Sequence, residues 1–230
     1  LGLWTLGAAL CLLVVVAHLI FSDGVDAGRT VAFLLLHLAT LWIVAVVVAC
    51  TSAWCKQPGT AAAVLLCLWV GGAIVLPRVA AMMANAADPL PGRDAFAAAM
   101  QADRDEGLDG HNPRDARRLE VEQQVLADYG VESKEELPVN LDGLLMQADE
   151  EYGATVWDKH FGSLEQHLER QARAAGAFAL VDPLLATDRI SMAIAGTGLG
   201  HHLAFLRQAE SYRRTLVRTL NDEHAHGGSR

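Results

Sequence analysis

Hydrophobic residues are concentrated in the first third of the chain, where three long runs contain no Asp, Glu, Lys or Arg. The runs are residues 1–22, 30–55 and 57–77. Each reaches about 20 residues, the length that a helix needs to cross ~30 Å of hydrocarbon. They predict three membrane-spanning helices, near residues 1–21, 30–52 and 60–83. A buried helical core is the alternative, but three successive uncharged runs favour a membrane.

Residues 84–230 are polar, and helix start and stop signals divide them. Asn112-Pro113, Asn140 and Asp182-Pro183 are typical of helix beginnings, whereas Gly130 and the glycines from Gly196 end helices. Ser133 and Glu136 form a capping-box pattern. The predicted helices cover about 93–106, 113–129, 141–175 with a kink or break near Gly153 or Gly162, 183–195 and 201–221. No segment predicts a strand. The fold class is therefore all-α: three membrane helices in residues 1–83, followed by a helical domain in residues 84–230.

Charge separates the same two blocks. The chain carries a net charge of −9, of which residues 1–83 contribute +1 and residues 84–230 contribute −10. This distribution excludes a simple cytosolic enzyme, and the acidic block would repel nucleic-acid phosphates. Lys56 lies in the loop between the second and third spans, whereas the preceding loop carries two acids and one Arg. The positive-inside rule then places Lys56 in the cytoplasm and residues 84–230 outside it.

Several residues within or near the predicted spans are candidates for a transport path or for span packing. His18 and His37 are ionisable, and such residues inside a membrane are functional candidates, although hydrogen bonding to a neighbouring helix is the favoured explanation. Gly71 and Gly72 would allow helices to approach closely. Arg78 would reach the outer interface.

Known catalytic and nucleotide-binding patterns are missing from the sequence. Gly196-Thr-Gly-Leu-Gly200 follows no predicted strand, and no Walker-type phosphate loop occurs. His160, His167, His201 and His202 could meet in a helical bundle, so a metalloenzyme remains an alternative, but no metal-ligand spacing supports it. The sequence therefore predicts no catalytic, cofactor-binding or metal residues in this chain.

Scattered short stretches of the polar block resemble a helical extracytoplasmic domain of bacterial ABC-2-type transporter permeases. The stretches that form the family-like motif contain His111, Asn112 and Pro113, followed by Asp158, His160 and Phe161. The resemblance extends to four further stretches and to parts of the membrane block. These are Tyr129–Val131, Leu137–Asn140, Arg189–Ala193 and Ala209–Arg213, together with Ser52, Trp69 and Leu76–Arg78.

The resemblance implies six membrane helices, with the large domain between the fifth and the sixth. The three predicted spans would then be the third, fourth and fifth, and we expect the chain to be part of a longer protein. The resemblance implies a multi-pass permease in the bacterial plasma membrane that acts as an exporter, and nucleic acid is not among its expected partners. Its partners would be the lipid bilayer, a second permease copy and a separate ATPase subunit that binds ATP and Mg²⁺.

A membrane-anchored extracytoplasmic sensor or scaffold is the alternative from a different functional class. Long helices outside the membrane also suit ligand sensing. A cytoplasmic signalling domain in the complete protein would favour the sensor, whereas a sixth span and an ATPase partner would favour transport.

Overall fold

The computed structural model describes Gly7, Cys11, Val15, Ala17 and residues 27–227. Within these residues all regular structure is helical, as the sequence predicts. The α-helices are α1 (Ala27–Trp54), α2 (Pro58–Val70), α3 (Leu76–Ala87), α4 (Arg93–Glu106), α5 (Arg114–Tyr129), α6 (Leu141–Ala177), α7 (Pro183–Ala195) and α8 (Leu199–His226). Short turns of other helix types are Gly71–Val75 (π), Lys134–Glu136 and Phe178–Leu180 (both 3-10).

Two of the helical stretches are long and apolar enough to cross a membrane. They are α1, with 28 residues, and the continuous stretch Pro58–Ala87, with 30 residues, which joins α2, the π turn and α3. The sequence predicts three spans, and the structure has two in the residues that it describes. The predicted span at 1–21 lies outside the described residues except for four single positions.

The π turn in the second apolar helix has a local cause in the sequence. Pro77 lies two residues after it and has no backbone N–H with which to continue the regular hydrogen-bond ladder. The Leu76 N–H instead bonds to the Gly71 carbonyl, five residues earlier. This longer bond places one more residue in the turn than an α-helix has, but the helix does not break. The stretch therefore stays continuous through its middle.

Contacts divide the chain into two compact units, each built from two separate segments of the sequence. The first unit comprises Leu1–Pro89 together with Glu169–His202, and the second comprises Leu90–Leu168 together with Leu203–Arg230. The end of α6 and the whole of α7 therefore belong with the apolar helices.

Helix termini mostly follow the sequence signals. The Asn140 carboxamide accepts a hydrogen bond from the Asp142 N–H, at 3.0 Å, and Gly130 adopts the left-handed conformation at the end of α5. Two details differ: Pro113, not Asn112, is the N-cap of α5, and Ser133 makes no side-chain cap bond. The break predicted near Gly153 or Gly162 is wrong, because α6 continues through both.

In the second unit, α6 and α8 are joined by a ladder of polar contacts. Arg207 pairs with Glu165 at 2.6 Å, and Arg214 pairs with Asp158 at 2.6 Å. The partner numbers fall on one helix as they rise on the other, so the two helices are antiparallel. Gly143 lies at their closest approach, where a Cβ would come within 2.6 Å of the Ala225 nitrogen.

Candidate functional site

The first unit contains a helical hairpin that packs against both apolar helices. We call residues 169–195 the hairpin; they comprise the end of α6, the 3-10 turn and α7. Its two arms run in opposite directions. Arg189 on the second arm donates a hydrogen bond to the Ala172 carbonyl on the first, at 2.8 Å, and its guanidinium covers Gly176.

The open end of the hairpin is fixed at the C-terminal end of the second apolar helix. Arg170 donates to the Asp88 carboxylate at 2.7 Å. Gln171 donates to the Asp88 carbonyl at 2.6 Å and to the Asn85 carboxamide at 3.4 Å. These polar contacts hold the first arm beside the last turn of α3.

The tip of the hairpin reaches the middle of the same helix. Gly72 lies halfway along Pro58–Ala87, and a Cβ placed on it would be 3.4 Å from Oδ1 of Asp182 and 3.5 Å from Leu184. Asp88 is 16 residues further on, or about 24 Å at ~1.5 Å per residue. The hairpin therefore follows the helix over roughly half of its length.

The second arm, α7, runs back along α1. Thr187 and Thr40 share a hydrogen bond of 2.6 Å between their hydroxyl oxygens, and Thr40 lies in the middle of α1. At the end of α7, Gly196 lies near the guanidinium of Arg29, in the first turn of α1. α7 thus starts at mid-length of the apolar helices and returns to the end where α1 begins.

Asp182 at the tip of the hairpin is the most unusual polar residue of this unit. Its Oδ1 accepts a hydrogen bond from the Leu184 N–H at 3.0 Å, which caps α7. The residue is only 2% exposed, and its Oδ2 is buried without any hydrogen-bond partner. In an N-cap Asp at a protein surface, water would hydrogen-bond to the second oxygen, whereas Oδ2 of Asp182 is enclosed by protein.

The candidate residues of the apolar helices have different surroundings. His18 lies outside the described residues. His37 bonds through Nδ1 to the Phe33 carbonyl of its own helix, at 2.8 Å, so its polar contact is local. Gly72 contacts the hairpin, but a Cβ on Gly71 would meet open space. Arg78 is exposed.

The residues that carry the ABC-2 resemblance in the second unit have structural contacts. His160 and Lys159 both bond to the Asp103 carboxylate, at 2.7 and 2.6 Å, and the Lys159 hydrogen bond lowers the pKa of Asp103 most strongly. Phe161 stacks on Trp157, with ring centroids 3.5 Å apart. Asp158 pairs with Arg214.

The stretch from His111 to Pro113 shapes the turn before α5. The His111 N–H donates to the Asp109 carboxylate at 3.0 Å, and this bond lowers the pKa of Asp109. The Asn112 carbonyl accepts a hydrogen bond from Arg117, and Pro113 is the N-cap of the helix. These residues order a loop rather than line a reactive site.

A cavity of about 510 Å³ in the second unit is lined by four arginines and three acidic residues, and two of the acidic residues are paired with arginines. Arg114 and Arg118 both lie against the Asp149 carboxylate, at 2.9 and 3.2 Å, and Glu150 pairs with Arg213 at 2.5 Å. The described residues contain no group of three His, Cys, Asp or Glu that could hold a metal ion. The hairpin is therefore the stronger candidate.

Sequence reasoning found Asp182 only as a helix cap and did not single out Thr40 or Thr187. The Asp-Pro pair gives the cap, but burial depends on the packing of segments more than 100 residues apart. The only sequence signal was the presence of polar side chains within otherwise apolar stretches.

One comparison with known proteins gives a match. A family model described as a domain of unknown function, DUF3526, matches residues 95–226, which is more than half of the chain and includes α7. No curated protein and no solved structure matches.

Proposed function

The chain belongs to the DUF3526 family, and from its apolar helices and its resemblance to ABC-2-type permeases we infer that it is a membrane-spanning permease subunit of an ATP-driven exporter. The motifs quoted above support the transporter class. The apolar helices support the membrane location.

The observation that carries the membrane location is the exposure of apolar side chains on the two long helices. Leu35 and Leu66 are each 60% exposed, and Trp42 and Trp69 each 57%. Neither apolar stretch has any buried residue in its most hydrophobic window. In water each large side chain would forgo about 1.5–3 kcal/mol of burial. Lipid chains around the helices would remove this penalty.

In this proposal α1 and Pro58–Ala87 cross the bacterial plasma membrane, and the hairpin re-enters it to mid-depth. The hairpin packs at the midpoints of both helices, so its tip would lie far from either water surface. The Lys56 loop would face the cytoplasm, and residues 90–168 would lie outside it. Leu180 and Val181 at the tip are 89% and 73% exposed, and lipid chains would cover these apolar side chains.

The energy source would be a partner subunit. This chain carries no nucleotide-binding motif, so ATP and Mg²⁺ would bind to a separate ATPase, and a second permease copy would complete the transport path. The Asp182–Gly72 contact would then be a packing element next to that path.

Co-purification tests the proposal. The full-length protein would be isolated from its native membrane in mild detergent, and the proteins that accompany it would be identified. We expect a stoichiometric ATPase subunit and nucleotide hydrolysis by the complex. Reproducible absence of an ATPase subunit, together with a cytoplasmic signalling domain in the complete protein, would support the sensor or scaffold instead.

A further inference from the structure

We propose that the cavity of the second unit binds a small organic molecule that carries a phosphate group. The cavity lies where residues of α4, α5, α6 and α8 converge, and its volume of about 510 Å³ is within the ordinary range for small-ligand sites. The described residues offer no group of metal ligands there, but four arginines line the cavity. They are Arg104, Arg114, Arg117 and Arg118.

Positive charge exceeds negative charge around this cavity. The carboxylates that line it are those of Asp105, Asp149 and Glu150, and Glu150 is paired at 2.5 Å with Arg213, which lies outside the lining. When that partner is counted, five guanidinium groups share three carboxylates, which leaves an excess of two positive charges. The phosphate group of a monoester carries a charge of about −1.5 to −2 at pH 7, so it matches this excess.

Arg117 is held in place without a carboxylate partner. Its guanidinium lies over the Tyr152 ring, with Cζ 3.7 Å from the ring centroid. Its N–H groups donate to the backbone carbonyls of Asn112 and Arg104. The Tyr152 hydroxyl in turn accepts the Leu108 N–H at 2.7 Å. These contacts orient the guanidinium but do not neutralise it, so an anion binds there with little loss of side-chain entropy.

The other three arginines share too few carboxylates. Arg114 donates to an Asp149 oxygen at 2.9 Å, and Arg118 lies 3.2 Å from the same oxygen. That second contact is an ion pair without a hydrogen bond, because Nε of Arg118 is buried and has no hydrogen-bond partner. Arg104 forms no ion pair within the part of the chain that the structure describes.

Arginines on two different helices favour a phosphate over a single carboxylate. Arg104 lies on α4 and the other three lie on α5, so their guanidinium groups approach the cavity from more than one direction. The two oxygens of a carboxylate lie in one plane and match a single guanidinium fork. The tetrahedral oxygens of a phosphate can accept from several guanidinium groups at once.

Gly153 keeps the cavity open and leaves room for an organic part. It lines the cavity from the interior of α6, and a Cβ on it would meet nothing within 4 Å. An interior glycine weakens a helix, and no packed neighbour requires one here. A side chain at this position would project into the space that we assign to the ligand. Met146 and Val217 supply apolar surface in the same lining.

Isothermal titration calorimetry on the full-length protein in mild detergent tests the site, with phenyl phosphate as the probe. We expect one molecule to bind per chain. Phenyl phosphate should bind more tightly than inorganic phosphate, which lacks an apolar part, and more tightly than benzoate, which carries a single negative charge. High salt should weaken the binding, because it screens the charges that attract the ligand.

Two pairs of variants test whether binding occurs in the cavity. Gly153→Leu should abolish binding by filling the cavity, whereas Gly162→Leu should not, although a Cβ there also meets nothing within 4 Å. Both introduce a better helix former, so both should keep the Tm of the wild type or raise it. Arg104→Gln should weaken binding about tenfold through loss of one charge-assisted hydrogen bond. Arg93→Gln is its control, because Arg93 is exposed at the start of the same helix and lies outside the lining.

Absence of saturable phenyl phosphate binding, or equal affinity of Gly153→Leu and the wild type, would overturn the proposal. Benzoate that binds as tightly as phenyl phosphate would contradict the phosphate class, and inorganic phosphate that binds as tightly would contradict an organic ligand. The inference uses neither the membrane location nor the transport activity proposed above. If an ATPase co-purifies and no probe binds, the cavity proposal fails alone, and if a probe binds in the cavity and no ATPase co-purifies, the transporter proposal fails alone.

Discussion

Replacing Gly143 with Ala should destabilise the second unit, although alanine is normally the better helix former. Gly143 is buried where α6 meets the last turns of α8. The new Cβ would lie 2.6 Å from the backbone nitrogen of Ala225 and 2.8 Å from its Cα. Carbon atoms pack at about 3.5–4.0 Å, so the end of α8 would have to move by roughly 1 Å.

The size of the effect follows from three contributions. Overpacking against backbone costs up to about 3 kcal/mol, because backbone cannot rotate away. The shift also strains the hydrogen bond from the Asn140 N–H to the Ala225 carbonyl, which is 2.8 Å long and contributes about 1 kcal/mol. The higher helix propensity of Ala relative to Gly offsets about 1 kcal/mol of this loss. We expect a net loss of about 2–3 kcal/mol.

Thermal unfolding followed by circular dichroism checks this value, with Gly162→Ala as the matched control. Gly162 lies in the same helix, and a Cβ there would meet nothing within 4 Å. The control should gain about 1 kcal/mol, whereas Gly143→Ala should lower Tm by roughly 5–10 °C. Ala225→Gly should rescue little, since the closest contacts are with backbone. Equal Tm values for the two Ala variants would refute the close crossing of α6 and α8.

Two further predictions concern the hairpin and the acid sensitivity of the second unit. Gly72→Val should displace the hairpin and increase hydrogen exchange in α7, while Gly71→Val should not, because only Gly72 contacts Asp182; equal exchange in both variants would contradict the packing. Hydrogen bonds from Arg213 and Arg214 lower the pKa of Glu210 from its usual 4.5 to about 2. The charged form therefore adds stability above pH 4.5 that is lost as the pH falls toward 2, and Glu210→Gln should show a smaller acid-induced fall in Tm.

The helices and their ends follow local signals, so most of the fold could be predicted from sequence. The Asp182-Pro183 cap, the Gly130 terminator and the limits of α4 depend on neighbouring residues only. Gly153 misled the prediction, because a helix supported by a partner tolerates an interior glycine that costs about 1 kcal/mol.

The candidate site could not be predicted, because it depends on distant contacts. Charge patterning assigned residues 169–202 to the polar block, yet this segment packs with the apolar helices. Two of its arginines have polar partners in this packed arrangement: Arg170 bonds to Asp88 at the open end, and Arg189 bonds within the hairpin. Sequence composition reports such charges but not where they are neutralised.

Disulfide cross-linking in intact native membranes tests the packing of the hairpin most directly. The full-length protein would carry Thr40→Cys and Thr187→Cys, with its native cysteines replaced. We expect rapid cross-linking in the membrane fraction, because the two hydroxyl oxygens are 2.6 Å apart at the middle of α1. Thr40→Cys with Thr197→Cys should not cross-link, since position 197 follows the end of α7 near the start of α1. Recovery of the chain outside the membrane fraction, or cross-linking of the control pair but not the first pair, would contradict a hairpin packed at mid-depth between membrane-spanning helices.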